Sequence, residues 1–258
     1  MIKALFFDID GTLVGFRTHR MTESLKECLY ELRANGVKLF ISSGRHVLVM
    51  NNLEDFPFDG YIAMNGALTI LGGEVIDHHP LPKDVALQIA EAAGTLNVPC
   101  LVFADSLYGV NFVNDKAIEV SKMVDMSYGP FLDLKKVALE HVVYQYTLYV
   151  TEEEERRFLH PVLKGVDYPR WHPYFADIVP EGLSKSYGAT KILERIGIGA
   201  EECMVFGDGG NDVPLIRFAG IGVAMGNAPD DVKAAADYVT DSVEDDGVIT
   251  ALRHFGVI

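Results

Sequence analysis

Cysteine is scarce and scattered: Cys28, Cys100 and Cys203 lie far apart and form no C-x-x-C pair. That spacing excludes a disulfide framework or a structural zinc site and fits a reducing compartment. Long apolar runs are missing as well. No stretch approaches the roughly 20 residues that a membrane helix needs. In "IKALFFDID" an acid arrives at position 8, too early for the apolar region of a signal peptide. The expectation is a cytoplasmic protein with no membrane partner. Cations are outnumbered, 22 Lys and Arg against 37 Asp and Glu, giving a formal net charge of −15. Such a surface repels phosphate backbones, so nucleic acid is not an expected partner. It also repels small anions, unless a local cluster of cations reverses the field.

What is present is a globular composition. With 258 residues, 49% of them hydrophobic, the chain can build one large domain or two smaller ones. Strand-like and helix-like stretches alternate at both ends. "IKALFF" reads as a buried strand. "TESLKECLYELRANG" places Leu25, Cys28, Leu29 and Leu32 on one helical face, with Thr22 as N-cap and Gly36 beyond the end. "VKLFIS" and "YIAMNGALTI" read as the next two strands. Later, "SYGATKILERIG" carries Ala189, Ile192, Leu193 and Ile196 on one stripe, "ECMVFGD" and "IGVAMGN" read as strands, and "DVPLIRFAG" and "PDDVKAAAD" as helices. This rhythm predicts an α/β fold, a parallel sheet with helices on both faces, which binds ligands outside the carboxyl ends of its strands.

The middle differs. Between Pro82 and Pro180 the sequence offers a helix in "DVALQIAEAAGTLN" and strands in "CLVFAD", "YGVNFV" and "VVYQYTLYV", the last rich in Val and Tyr. We read residues 82–183 as an inserted α+β domain with an antiparallel sheet, and residues 1–81 and 184–258 as the core. "TEEEERRFL" reads as the solvated start of a helix, its acids favouring the N-terminus.

Four stretches carry candidate chemistry, each with a plainer alternative. "FFDIDGTL" puts Asp8 and Asp10 at a strand end, where a metal site or an Asp-Gly turn are both consistent; Thr12 is read as bonding the loop backbone. "FISSGR" puts Ser43, Gly44 and Arg45 at the next strand end, a hydroxyl, an amide and a guanidinium suited to phosphate oxygens, or an ordinary loop. "GLSKSYGAT" places Lys185 beside a helix start, unfavourable against the macrodipole unless an anion is near. "VFGDGGND" supplies Asp208, Asn211 and Asp212, hard oxygen donors suited to magnesium, with a cap for the next helix as the alternative.

Taken in this order, the four stretches resemble the sequence motifs of the haloacid dehalogenase-like superfamily. The placement of the insert, with "MNGA", "GVAMGNA", "ADYVT" and "EDDGV", is similar to its Cof-type branch with a C2-type cap. The resemblance implies a Rossmann-like core and a magnesium-dependent phosphatase acting on small phosphorylated metabolites, sugar phosphates above all, through an aspartyl-phosphate. It makes Asp8 the nucleophile and Asp10 the general acid and base. Metal would be held by Asp8, the Asp10 carbonyl and Asp208, with Asp212 and Asn211 ordering the ligands. Ser43 and Lys185 would hold the phosphoryl group, with Gly44, Arg45 and Asn65 as further substrate or phosphate contacts. Together with the metal, Arg45 and Lys185 would also supply the local positive field. The inserted cap would close over the site and meet the leaving group.

Two alternatives stay open: a phosphomannomutase-like phosphotransferase, and a non-catalytic phosphosugar-binding protein. Trp171 and His172 are read either as lining a substrate pocket or as packing at a domain junction. His78 and His79 lack metal-ligand spacing. Monomer and homodimer are equally consistent with the sequence.

Overall fold

The computed structural model describes residues 1–170 and 172–258. In chain order the strands are β1 (Ala4–Phe7), β2 (Lys38–Ser42), β3 (Gly60–Ala63), β4 (Leu68–Leu71), β5 (Glu74–His78), β6 (Cys100–Ala104), β7 (Tyr108–Val110), β8 (Val143–Leu148), β9 (Val166–Asp167), β10 (Ala176–Pro180), β11 (Cys203–Gly207), β12 (Ile221–Ala224) and β13 (Tyr238–Val239). The α-helices are α1 (Glu23–Ala34), α2 (Lys83–Leu96), α3 (Asp115–Met123), α4 (Leu134–Glu140), α5 (Glu152–Phe158), α6 (Lys185–Ile196), α7 (Val213–Phe218), α8 (Asp230–Lys233) and α9 (Gly247–His254). The chain divides into two compact units. One is Met1–Arg45, Met50–Asp77 and Ser184–Ile258; the other is His46–Val49 and His78–Leu183.

In the first unit the strands form one sheet in the order β13-β12-β11-β1-β2-β3-β4-β5. The chain winds outward from β1 in one direction through β2 and β3, and from β11 in the other through β12 and β13, all parallel. The junction of β1 and β11 is therefore where the strand order reverses, the position at which open α/β sheets leave a crevice for ligands. Every residue of β1 is buried because both faces are covered, so the strand is apolar throughout. Phe6 stacks on Phe40, with ring centres 4.8 Å apart, and Phe7 stacks on Phe206 on the opposite side. Burial of each ring contributes roughly 2–3 kcal/mol.

Helix α1 has the expected cap and stripe: Thr22 accepts the Leu25 N–H at 3.2 Å, and Leu25, Cys28, Leu29 and Leu32 are buried. Helix α6 buries Lys185, Gly188, Ala189, Ile192 and Leu193, then stops at Gly197 in the left-handed region. "YIAMNGALTI" departs from the single strand expected of it. Met64, Asn65 and Gly66 take φ of 51°, 55° and 100°, reversing the chain so that β4 pairs antiparallel with β3. The sheet thus gains an antiparallel edge that the strand–helix rhythm does not foretell.

The second unit holds a sheet of order β7-β6-β8-β10-β9, and its β6–β7, β6–β8, β8–β10 and β9–β10 pairs are antiparallel. Helices α2 and α4 cover one face, packing Ile89, Ala93 and Val137 on Val102, Tyr146 and Ile178. "YGVNFV" yields only a short strand, because the Asn111 side chain captures the N–H groups of Cys100 and Phe112 at 2.8 Å each. Among the described residues no helix is long and apolar enough to cross a membrane.

Candidate active site

Strand register brings the first and last acidic stretches together. Phe7 pairs with Phe206, so Asp8 and Asp208 emerge from neighbouring strand ends, and the Asp8 N–H donates to the Phe206 carbonyl at 3.0 Å. One carboxylate oxygen from each of Asp8, Asp208 and Asp212 lies within 4.8 Å of the others, a set that could hold a metal ion. Gly11 makes room for this: its φ is +85°, and a Cβ there would lie 2.2 Å from Asp208 Oδ2.

Lys185 is the first residue of α6 and is fully buried. Gly188, one turn on, lets that helix approach β3 closely; a Cβ there would lie 2.6 Å from an Ile62 methyl. The ammonium donates to Asp8 Oδ1 and to Asp212 Oδ1, both at 2.6 Å. These carboxylates are the anions that make a cation tolerable at a helix start. Asp212 precedes α7 without capping it through its side chain. Its Oδ2 instead accepts the N–H groups of Asp208 and Gly209, at 3.1 and 2.9 Å, so it braces the loop that carries Asp208.

Three carboxylates, Asp212 buried and Asp8 and Asp208 half-buried, face one ammonium. Burial pushes the Asp8 carboxyl from 3.8 up to about 7; Lys185 pulls it down, while Asp212 and Asp10 add to the rise. Burial also lifts the Asp208 carboxyl well above its ordinary range, with the charges of Asp8 and Asp212 adding to it. Burial alone would lower Lys185, but Asp212 and Asp8 outweigh it and hold the ammonium charged. The site has negative charge in excess, and a divalent cation has the charge that would balance it.

Asp10 lies beside this cluster with its side chain committed elsewhere. Arg45 grips it as a fork, Nε on Oδ2 and Nη2 on Oδ1, both at 2.6 Å. Both cations expected to supply a local positive field are thus engaged by the protein's own carboxylates. The Ser43–Arg45 loop is knitted to the left-handed turn after β3. The Asn65 N–H donates to the Ser43 carbonyl and the Met64 N–H to the Arg45 carbonyl, each at 3.1 Å. Ser43 is buried, and its Oγ accepts the Arg45 N–H at 3.1 Å, leaving the hydroxyl proton to donate. Gly44 lies between them, half-buried. Asn65 is buried and accepts from Asn211 Nδ2 at 2.9 Å, joining the second and fourth stretches.

Two further residues belong to this site. Thr12, expected to bond its own loop, donates to Asp208 Oδ1 at 3.1 Å. Asn227, in the quoted "GVAMGNA", donates to the Gly11 carbonyl at 2.9 Å and to Asp208 Oδ2 at 3.3 Å. Only the motif resemblance could have flagged Asn227. Trp171 lies outside the described residues. His172 stacks on Phe175, its Nδ1 accepts the Tyr174 N–H at 3.3 Å, and burial lowers its pKa. His78 Nδ1 meets the Tyr144 hydroxyl at 3.3 Å.

Residues 5–252 match the haloacid dehalogenase-like hydrolase family. The chain is 32% identical to YkrA of Bacillus subtilis strain 168, provisionally named a phosphatase, over 99% of this chain and 98% of that one. Among solved structures it is similar to BT4131, described as a subclass IIB sugar phosphatase, with 41% identity, a TM-score of 0.93, and coverage of 99% and 100% of the two chains. BT1666 of Bacteroides thetaiotaomicron, described among phosphatases of this superfamily, is 36% identical with a TM-score of 0.90, covering 100% of this chain and 96% of that one.

Proposed function

The chain belongs to the haloacid dehalogenase-like hydrolases, and from that premise we propose that it is a magnesium-dependent phosphatase of small phosphorylated metabolites, sugar phosphates first among them. The observation that carries this reading is the convergence of Asp8, Asp208 and Asp212 within 4.8 Å, with a buried Lys185 bonded to Asp8 and Asp212. Similarity to a sugar phosphatase over nearly the whole chain supports the substrate class. We assign residues 1–81 and 184–258 to catalysis and residues 82–183 to the choice of substrate.

The donor set fits magnesium, since carboxylates are hard oxygen ligands and the site lacks positive charge. Asp8, Asp208 and Asp212 would hold the ion, with the Asp10 carbonyl beside them. When bound, it supplies charge that offsets repulsion between a carboxylate and a phosphoryl group.

Asp8 attacks phosphorus in line, forming an acyl-phosphate bond as the ester P–O bond breaks. Asp10 gives a proton to the departing oxygen. A water then attacks the same phosphorus and hands a proton to Asp10, and inorganic phosphate leaves as the Asp8 carboxylate is restored. The Ser43 hydroxyl, the Gly44 amide and the third N–H of Lys185 hold the phosphoryl oxygens, because two Lys185 donors are already spent on Asp8 and Asp212. Asn65 and Asn211 supply amides on the substrate side.

The test is a panel of phosphorylated metabolites assayed with magnesium and with chelator. Activity should require the metal, and Asp8→Asn should lower kcat by about 10⁴-fold or more with the fold intact by circular dichroism. Undiminished turnover in Asp8→Asn would sink the nucleophile assignment.

A further inference from the structure

Arg45 sits in a loop whose composition suits phosphate, yet its guanidinium is turned to another task. The Nε and Nη2 groups lie 2.6 Å from the two oxygens of Asp10, the side-on fork in which arginine matches a carboxylate plane to plane. The pair is enclosed, with side chains 7% and 12% exposed. The arginine backbone is fixed at both ends, its N–H on Ser43 Oγ and its carbonyl accepting from Met64 at 3.1 Å. Met64 and the following Asn65 are non-glycine residues held in the left-handed region, a strained conformation that persists only where its surroundings impose it. A chain of constraints therefore runs from that strained turn through the Arg45 backbone to the plane of the Asp10 carboxylate.

From this geometry we infer that Arg45 is a positioning residue for Asp10 rather than a phosphate ligand. The fork uses one lone pair of each Asp10 oxygen and leaves another on each, so the carboxyl is oriented and can still reach a departing oxygen. A lysine in its place would keep the charge and lose the plane. The inference rests on the phosphatase reading given above for its kinetic consequence, but its structural content stands apart from that reading.

Kinetics and crystallography test it together, on full-length Arg45→Ala and Arg45→Lys with magnesium present. Across phosphate esters of graded leaving groups, Arg45→Ala should lower kcat for alkyl phosphates about 100-fold. Nitrophenyl phosphate should be barely slowed and KM should move less than about threefold. Arg45→Lys should resemble Arg45→Ala, and Arg45→Ala combined with Asp10→Asn should be no slower than Asp10→Asn alone. A raised KM at unchanged kcat, or additive losses in the double variant, would overturn the inference in favour of phosphate binding. In crystals of Arg45→Ala, Asp10 should be turned from its wild-type orientation; an unmoved Asp10 would overturn the inference whatever the protein hydrolyses. Failure of the phosphatase reading would show differently, as a wild-type protein inactive on every ester, and the crystallographic comparison would still decide on Arg45.

Discussion

Each unit of this protein buries a cluster of charge, and the two clusters are balanced differently. In the second unit Glu155 is buried on α5, where it meets Arg170 at 2.5 Å and His160 at 2.9 Å. Arg170 Nη1 donates to the carbonyls of Val150, His172 and Pro173. Every charge there has a partner, and the cluster ties α5 to the loop before β10. In the first unit three carboxylates share one ammonium, and burial raises the Asp8 and Asp208 carboxyls instead of being answered by cations. Removing one partner of a matched cluster strands a buried charge, whereas an unmatched cluster leaves negative charge for a cation to balance. The contrast distinguishes the two sets of acids without reference to any relative.

Cutting the balanced cluster should produce the largest change in stability. Glu155→Ala strands the Arg170 guanidinium, whose side chain is only 17% exposed, and should destabilise the protein by about 3 kcal/mol in urea denaturation. Magnesium should leave that loss unchanged. A loss below about 0.5 kcal/mol would mean that the carbonyls alone satisfy Arg170, and the comparison would collapse.

The unbalanced cluster should answer to pH in the opposite way from ordinary acids. The Asp8 carboxyl rises from 3.8 to about 7 in the folded chain, and Asp208 moves in the same direction. Between those values the folded protein binds more protons than the unfolded one, so stability falls as pH rises. In chelator, the protein should be more stable near pH 5 than near pH 8, by on the order of 2 kcal/mol from this site. A chain of net charge −15 also gains some relief on acidification. The contribution of the site is therefore the part that Asp8→Asn flattens, read as urea midpoints of both proteins at both pH values. Saturating magnesium should remove it too, because the metal supplies the missing charge. Equal slopes for wild type and Asp8→Asn would show that the site carries no excess charge.

The contrast also marks where the sequence stops being legible. Strand ends, the Thr22 cap and the stripes of α1 and α6 follow from local periodicity and turn chemistry. The acids at the ends of β1 and β11 are visible because strand ends are where such sheets bind ligands. Partners are another matter. Thr12 meets Asp208 across 196 positions and Arg45 meets Asp10 across 35, separations on which no local pattern bears. The run "TEEEERRFL" reads as the solvated start of a helix, yet Glu155 turns inward because Arg170, 15 residues on, is there to receive it. The turn at Met64–Gly66 carries a local signal in Asn65-Gly66, masked by Tyr61 and Ile62 on one side and Thr69 and Ile70 on the other, which favour extended backbone. Asn65 tolerates the left-handed region on local grounds, whereas Met64 has no such preference and is tied through its N–H to the Arg45 carbonyl.

Asn227 offers the finest test of how the unbalanced site is held ready. Each oxygen of Asp208 receives one donor: Thr12 Oγ1 on Oδ1 at 3.1 Å and Asn227 Nδ2 on Oδ2 at 3.3 Å. Asn227 is itself fixed, accepting the Val243 N–H at 2.9 Å and donating to the Gly11 carbonyl at 2.9 Å. Thr12 is buried while Asn227 is exposed, so water can replace part of what the asparagine provides. Removing an outer partner of this kind weakens metal binding by about 10- to 100-fold, and the exposed position sets the expectation at the low end. Asn227→Ala should therefore bind magnesium about tenfold more weakly by calorimetry, with stability in chelator changed by less than about 0.5 kcal/mol. An unchanged affinity would mean that Thr12 alone orients Asp208. A large loss of stability in chelator would move Asn227 to the structural side of the comparison.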